Sequence, residues 1–333
     1  MPGVTAELLF DVVGIGNALV DVLAHHGDDF LERYGMTKSK MELIDAERAE
    51  ELYGALGSSL EMSGGSAANT IAGVASFGGK AAFLGRVYDD GLGAAFAHDL
   101  RSLGVTFRAK PATDGPRTGR CMIIVTPDAH RTMNTYLGAA SFFCTSDVDA
   151  DMVSSAKVTF LEGYLFDRPE SKDAYRAASD IAHQAGRKVA LTLSDLFCVE
   201  RHRDDWLPLV RDRVDILFAN DAEAMALWQC DDIPTAVERA RENVEIACIT
   251  CGPEGSIVVN GDDTHKVPAE PVELVDTTGA GDLYAAGFLY GYTQGRPLPE
   301  CGRLGSVAAS AVLGHMGARP GLSLAQLIGV LDR

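Results

Sequence analysis

The sequence predicts an α/β fold with a mainly parallel central sheet, helices on both its faces, and a small β-rich lid. Two observations carry this. Short apolar runs alternate with helix-like stretches along the chain, and two longer segments break the alternation with extended patterns. The first run is FDVVGIG, Phe10 to Gly16, and KAAFLGRVYDD, VTFLEGYLF, KVALTLSD, VDILFAN and EIACITCG repeat its form. Each is near-continuously apolar, as a strand buried on both faces must be. Between them lie SAANTIAGVASFG, GLGAAFAHDLRSLG, ESKDAYRAASDIAHQAG and IPTAVERARENV, which read as helices. Alternating strands and helices give a parallel sheet, whose ligands sit beyond the carboxyl ends of the strands. That rule brings Asn17, Asp21, Asn220 and the Gly252 turn to one edge.

The segments that break the rhythm are 19–45 and 105–138, assigned to the lid; 1–18, 46–104 and 139–333 form the large domain. In the second segment CMIIVT and RTMNTY flank the turn PDAH, a hairpin pattern.

Composition narrows the function. The chain has 333 residues, 47% of them hydrophobic, and a formal net charge of −18. The core is ample, and the acidic surface disfavours nucleic acid and anionic membranes as partners. An anionic substrate must therefore be met by a local cation, a metal or backbone dipoles. Cysteine is odd in number, seven, which speaks against a disulfide framework. The lone pair Cys248 and Cys251 lacks the second ligand pair of a zinc site. No apolar run reaches membrane-span length, and the start MPGVTAELLFDVVGIG lacks the form of a secretory leader, so a cytoplasmic protein is expected.

Four stretches carry chemistry. In DTTGAGDLYAAGF, Asp282 follows Gly279, Ala280 and Gly281. A helix starting near Asp282 would point free N–H groups at the preceding space, a pocket for a phosphate, and Asp282 would take a proton from an attacking hydroxyl. An ordinary N-cap ahead of a small-faced helix fits the same residues. In SGGSAANT, Gly64 and Gly65 allow close approach of a ligand, and the Asn69 amide suits a polyhydroxylated one. In FANDAEA, Asn220 and Glu223 read equally as a capping box or as a polar pair near a metal and its waters. ITCGPEGS, Thr250 to Ser256, either wraps a nucleotide or joins two strands. The two common phosphate loops are absent: the third glycine of G-x-G-x-x-G falls on Leu19, and the interval from Gly73 to Gly79-Lys80 is one residue too long for a P-loop.

In this order the four stretches resemble the ribokinase-like (phosphofructokinase-B) family of carbohydrate and nucleoside kinases. GGSAANT looks like its N-terminal signature and DTTGAGDLYAAGF like its more specific C-terminal one; NDAE and TCGPEG look like its Asn-x-x-Glu and Thr-x-Gly motifs. The resemblance implies a ribokinase-like fold with transfer of the ATP γ-phosphate to a hydroxymethyl group. Asp282 is then the base, and the amides of Gly279, Ala280 and Gly281 form the anion hole. Asn220, Thr250, Gly252, Gly255 and Thr277 serve ATP. Asn220 and Glu223 organise Mg2+ through water, and Asp276 and Thr278 match positions that hold a monovalent cation such as K+ in several relatives. Asn17, Asp21, Gly64, Gly65 and Asn69 hold the substrate. Arg131, at the start of the second lid strand, is a cationic candidate, although a solvated hairpin arginine fits as well. GIGNALVDV, RTMNTYLGAA and LEGYLF are most similar to the adenosine kinase branch, with Tyr164 or Phe166 stacking on the base. Adenosine is the expected acceptor; ribose, fructose or 2-keto-3-deoxygluconate is the alternative, and a non-catalytic binding regulator the remaining one. Either a monomer or a homodimer fits.

Overall fold

The computed structural model describes residues 7–128 and 130–331. In chain order the strands are β1 (Phe10–Ile15), β2 (Leu19–His25), β3 (Met41–Leu43), β4 (Leu60–Gly64), β5 (Ala81–Leu84), β6 (Thr106–Phe107), β7 (Gly119–Val125) and β8 (Arg131–Tyr136). They continue with β9 (Ala156–Glu162), β10 (Lys188–Thr192), β11 (Ile216–Asn220), β12 (Ile246–Thr250), β13 (Ser256–Asn260) and β14 (Asp263–Val267). The main sheet has the order β14-β13-β12-β11-β10-β9-β1-β5-β6. It is parallel from β12 to β6, and β13 and β14 add an antiparallel edge.

The apolar runs form strands because both faces are covered. Val158, Phe160, Ile216, Phe218 and Cys248 belong to one core. Leu161, Val189, Leu191, Leu217 and Ile249 belong to the other. Helices Ser66–Ser76, Ala280–Thr293 and Leu298–Leu313 pack on the first face. Helices Pro169–Gln184, Leu196–Arg213, Asp221–Trp228 and Ile233–Asn243 pack on the second. Each fully buried Val, Leu or Ile contributes ~1.5–3 kcal/mol, so this two-sided burial outweighs the modest strand propensities of Ala and Cys in the same runs.

The second sheet has the order β3-β8-β7-β2-β4. Its side chains alternate, as a pleated strand requires. Met122 and Ile124 join the main core, whereas Cys121, Ile123 and Val125 pack with Met133 on the opposite face. β7 and β8 pair antiparallel, from Arg120 opposite Tyr136 to Val125 opposite Arg131; of the expected PDAH turn, Ala129 lies outside the described residues. Two short strands depart from the sequence boundaries. β4 falls within 46–104 yet pairs with β2 in the lid, and β6 falls within 105–138 yet pairs with β5 in the main sheet. β4 was obscured because LEMSG is a part-exposed edge with no clean alternation.

Candidate active site

The carboxyl ends of β1 and β9 to β12 open into a cavity of about 1070 Å³, closed on one side by the lid. Asn17, Asp21, Gly65, Asn69, Tyr164, Asn220, Glu223, Thr250 and the whole run from Thr277 to Asp282 line it. Residues separated by more than 260 positions meet here because a parallel sheet delivers every strand end to the same edge.

The turn before Asp282 is set by Gly279, which caps the helix in the left-handed region at φ +79°. The helix begins at Ala280, so Asp282 sits inside its first turn instead of capping it, and no side chain caps the helix. The first-turn N–H groups are thereby left facing the cavity as donors for an anion; of the three expected anion-hole amides, that of Ala280 also donates to Thr277 O at 3.3 Å. Asp282 Oδ1 accepts from Ser66 Oγ at 2.6 Å and Oδ2 from Asn69 Nδ2 at 3.0 Å. Burial pushes its carboxyl up, partly offset by these two bonds and by the charge of Arg319. The two bonds and the arginine charge favour the ionised form, the form a proton acceptor needs. Gly279 tolerates no side chain, because a Cβ would lie 2.7 Å from Ala318 O and 2.8 Å from its Cα. Gly279→Ala is therefore expected to shift the turn and cut kcat by on the order of 10²-fold. Steady-state kinetics on the folded variant checks this, and unchanged turnover would show that the turn has no part in the reaction.

Asn17 is anchored from behind. Glu162 Oε1 accepts from Asn17 N at 3.1 Å and Asn17 Nδ2 at 2.8 Å, and Oε2 accepts from Ala67 N at 2.7 Å. Glu162 is buried, and that burial carries its carboxyl up to about 7 against the pull of the same bonds. Asn17 Oδ1 is buried with no partner among the described residues, leaving it to accept from a ligand. Asp21 is raised to about 6, chiefly by desolvation, with Arg319 and Arg131 pulling it down. Gly65 holds φ +97°, and a Cβ on Gly64 would collide with the Asp21 carboxylate, so both glycines serve the placement of Asp21 and Asn17.

A family model described as pfkB family carbohydrate kinase matches residues 34–324. The chain belongs to the pfkB family. It is a phosphotransferase with an alcohol group as acceptor and ATP as phosphate donor. Among solved structures it is similar to adenosine kinase from Sinorhizobium meliloti, 52% identical with TM-score 0.89, covering 97% of this chain and 99% of that one. It is similar also to a probable sugar kinase from Rhizobium etli, 50% identical with TM-score 0.89, covering 98% and 99%. Adenosine kinase of Saccharomyces cerevisiae is 27% identical over 92% of this chain and 95% of its own length.

Several site expectations for this pfkB kinase need correction. Phe166 does not line the cavity: it is 1% exposed and stacks on Trp206 at 3.7 Å within the core. The 3-10 turn Gly163–Leu165 sends Tyr164 to the cavity and Phe166 behind the sheet. One exposed cavity aromatic went unread. Phe197 is 57% exposed, with the Arg201 guanidinium 4.0 Å from its ring centre. Arg131, the cationic candidate, is absent from the cavity wall, and it is no solvated hairpin residue either; it is buried in an ion pair with Asp276 at 2.8 Å. That pair also bears on the monovalent cation. Asp276 Oδ1 takes Thr278 N and Oγ1, and Oδ2 takes Gly317 N and Arg131. The carboxylate is already met by a cation, so these residues do not fit K+ in this arrangement. Gly252 and Gly255 have φ of +55° and +91° and shape the turn joining β12 to β13, outside the cavity wall.

Asn220 and Glu223 form the capping box, with Glu223 N donating to Asn220 Oδ1 and Asn220 N and Nδ2 donating back to Glu223. Both also line the cavity, and burial lifts the Glu223 carboxyl to about 7. Among the described residues no three His, Cys, Asp or Glu side chains gather as a metal cage. The Glu223 carboxylate and Asn220 amide at the cavity wall are oxygen groups of the kind that meet Mg2+ through its waters.

Proposed function

We propose that the acceptor is adenosine, phosphorylated on its 5′-hydroxymethyl group to AMP. The observation that carries this reading is the lid's inner face. Met41, Leu43, Cys121, Ile123 and Met133 line the cavity alongside Tyr164 and Phe197, and Met41 and Leu43 are 47% and 50% exposed. A free sugar has little apolar surface to offer them. A purine base has two flat faces that aromatic and thioether side chains cover well.

In this reading Asp21 and Asn17 accept from ligand hydroxyl or amine groups, and Asn69 donates. Asp282 takes the proton of the attacking hydroxyl while first-turn amides of the Ala280–Thr293 helix stabilise the phosphoryl oxygens. Bound Mg2+, held through water by Glu223 and Asn220, would draw negative charge from the transferring group. Positioning and charge stabilisation supply most of the rate, since the protein forms no bond to the phosphoryl group.

Incubation with ATP, magnesium and adenosine is expected to yield ADP and AMP one for one. Faster ADP release with ribose, fructose or 2-keto-3-deoxygluconate would assign the acceptor to a sugar. The exposed lid face further predicts closure on the ligand, which keeps water from the phosphoryl group. Amides of β3, β7 and β8 should exchange hydrogen more slowly with adenosine bound; equal exchange would mean a fixed cover.

A further inference from the structure

Arg319 lies in the GHMGARPG loop, outside every motif that marks the site. Its side chain is 17% exposed, and its three nitrogens reach three separate elements. Nη2 donates to Ser63 Oγ at 2.8 Å, on β4 at the base of the lid. Nη1 donates to Asp99 Oδ2 at 3.2 Å, on the Gly91–Ser102 helix. Nε donates to Asn69 Oδ1 at 3.2 Å, on the Ser66–Ser76 helix. Asp99 closes the network by accepting from Ser63 N at 2.8 Å and Ser63 Oγ at 2.5 Å.

The bond to Asn69 has a directional consequence. Because Arg319 supplies a donor to Oδ1, the amide must turn its Nδ2 toward Asp282, where it donates at 3.0 Å. Exchanging the two ends would set an NH2 against a guanidinium and an oxygen against a carboxylate. The neighbours of Arg319 brace the same centre. Gly317 N donates to Asp276 Oδ2 at 3.0 Å, and Ala318 packs against Gly279. Three consecutive residues thus hold the anion-hole turn and, through Asn69, the carboxylate beside it. A planar five-donor fork is suited to such a junction, and an ammonium point charge is not.

We propose that Arg319 is a positioning residue for phosphoryl transfer, fixing Asn69 against Asp282 and tying the start of the catalytic helix to the base of the lid. This rests on Asp282 being the base. Arg319 itself is not in the cavity wall, so it acts through its neighbours. Asp282 is also faced by the acids Asp21 and Glu162 and by the Tyr164 phenol. Among these groups Arg319 is the cation, and its charge favours the ionised carboxylate.

The test is steady-state kinetics of Arg319→Ala and Arg319→Lys across pH, with ATP, magnesium and adenosine. Arg319→Ala should lower kcat by on the order of 10²-fold, as small misplacements of reacting groups do, with KM for ATP nearly unchanged. Its acid limb should move to higher pH, and added guanidinium should restore part of the rate. Arg319→Lys should keep the acid limb near that of wild type yet lose kcat, having charge without the fork. Wild-type kcat and acid limb in Arg319→Ala would overturn the proposal. Should Arg319→Ala not fold, Arg319→Lys with Asn69→Ala decides: a double variant no slower than Asn69→Ala supports action through Asn69, and independent, additive losses overturn it. Asp282→Asn serves as the control. Full turnover there removes the base assignment and this inference together, whereas a dead Asp282→Asn beside an unaffected Arg319→Ala removes this inference alone.

Discussion

Asp282→Asn is expected to lower kcat by on the order of 10²–10⁴-fold, the usual effect of losing a positioned base, while the fold and ATP affinity survive. The replacement is nearly isosteric. Its amide oxygen can still accept from Asn69, and the Ser66 hydroxyl can turn to accept from the new NH2. What disappears is the proton acceptor. A stability effect of opposite sign should accompany the loss. The Asp282 carboxyl is raised in the folded protein, mainly by burial. Its contribution to stability is therefore full below the ordinary carboxylate range and lost as pH rises through the raised value. Asparagine carries no such loss, so the variant's melting temperature relative to wild type should climb across that window. Near-wild-type turnover in purified Asp282→Asn would remove the residue from the proton transfer.

The second large effect concerns Asp21. Asp21→Ala is expected to raise KM for adenosine about 10- to 100-fold, since a hydrogen bond to a charged acceptor contributes about 1.5–3 kcal/mol. The wild type should show a matching pH dependence. The Asp21 carboxyl is raised to about 6, chiefly by desolvation, and its ionised form would make the stronger, charge-assisted bonds to the ligand hydroxyls expected there. KM for adenosine should therefore fall as pH rises through that value, and Asp21→Asn should flatten the dependence. A KM that ignores both substitutions would place the ribose elsewhere.

The main sheet was readable because β1 and β9 to β12 are buried on both faces, and a strand with no solvent face has little choice of residue. β4 and β6 were not, one an exposed edge and the other two residues long. The Gly279 to Asp282 turn was readable because its chemistry is local, a left-handed glycine with the acid three residues later in the first helical turn. Arg319 was not, because its Asn69 contact spans 250 residues. Glu162 did leave a trace, as the acid ending the apolar run VTFLE. The choice between Tyr164 and Phe166 stayed open for the same reason: two aromatics two positions apart are told apart only by the turn between them, and the 3-10 turn after β9 sends them to opposite sides.

The most direct test of the adenosine reading is kcat/KM for adenosine and for ribose, measured with the same enzyme, ATP and magnesium. If the apolar lid face binds a base, the binding energy of that base serves catalysis, and a substrate lacking it loses kcat as well as affinity. The predicted result is a preference for adenosine by on the order of 10²-fold or more. Equal values, or a higher value for ribose, would contradict it.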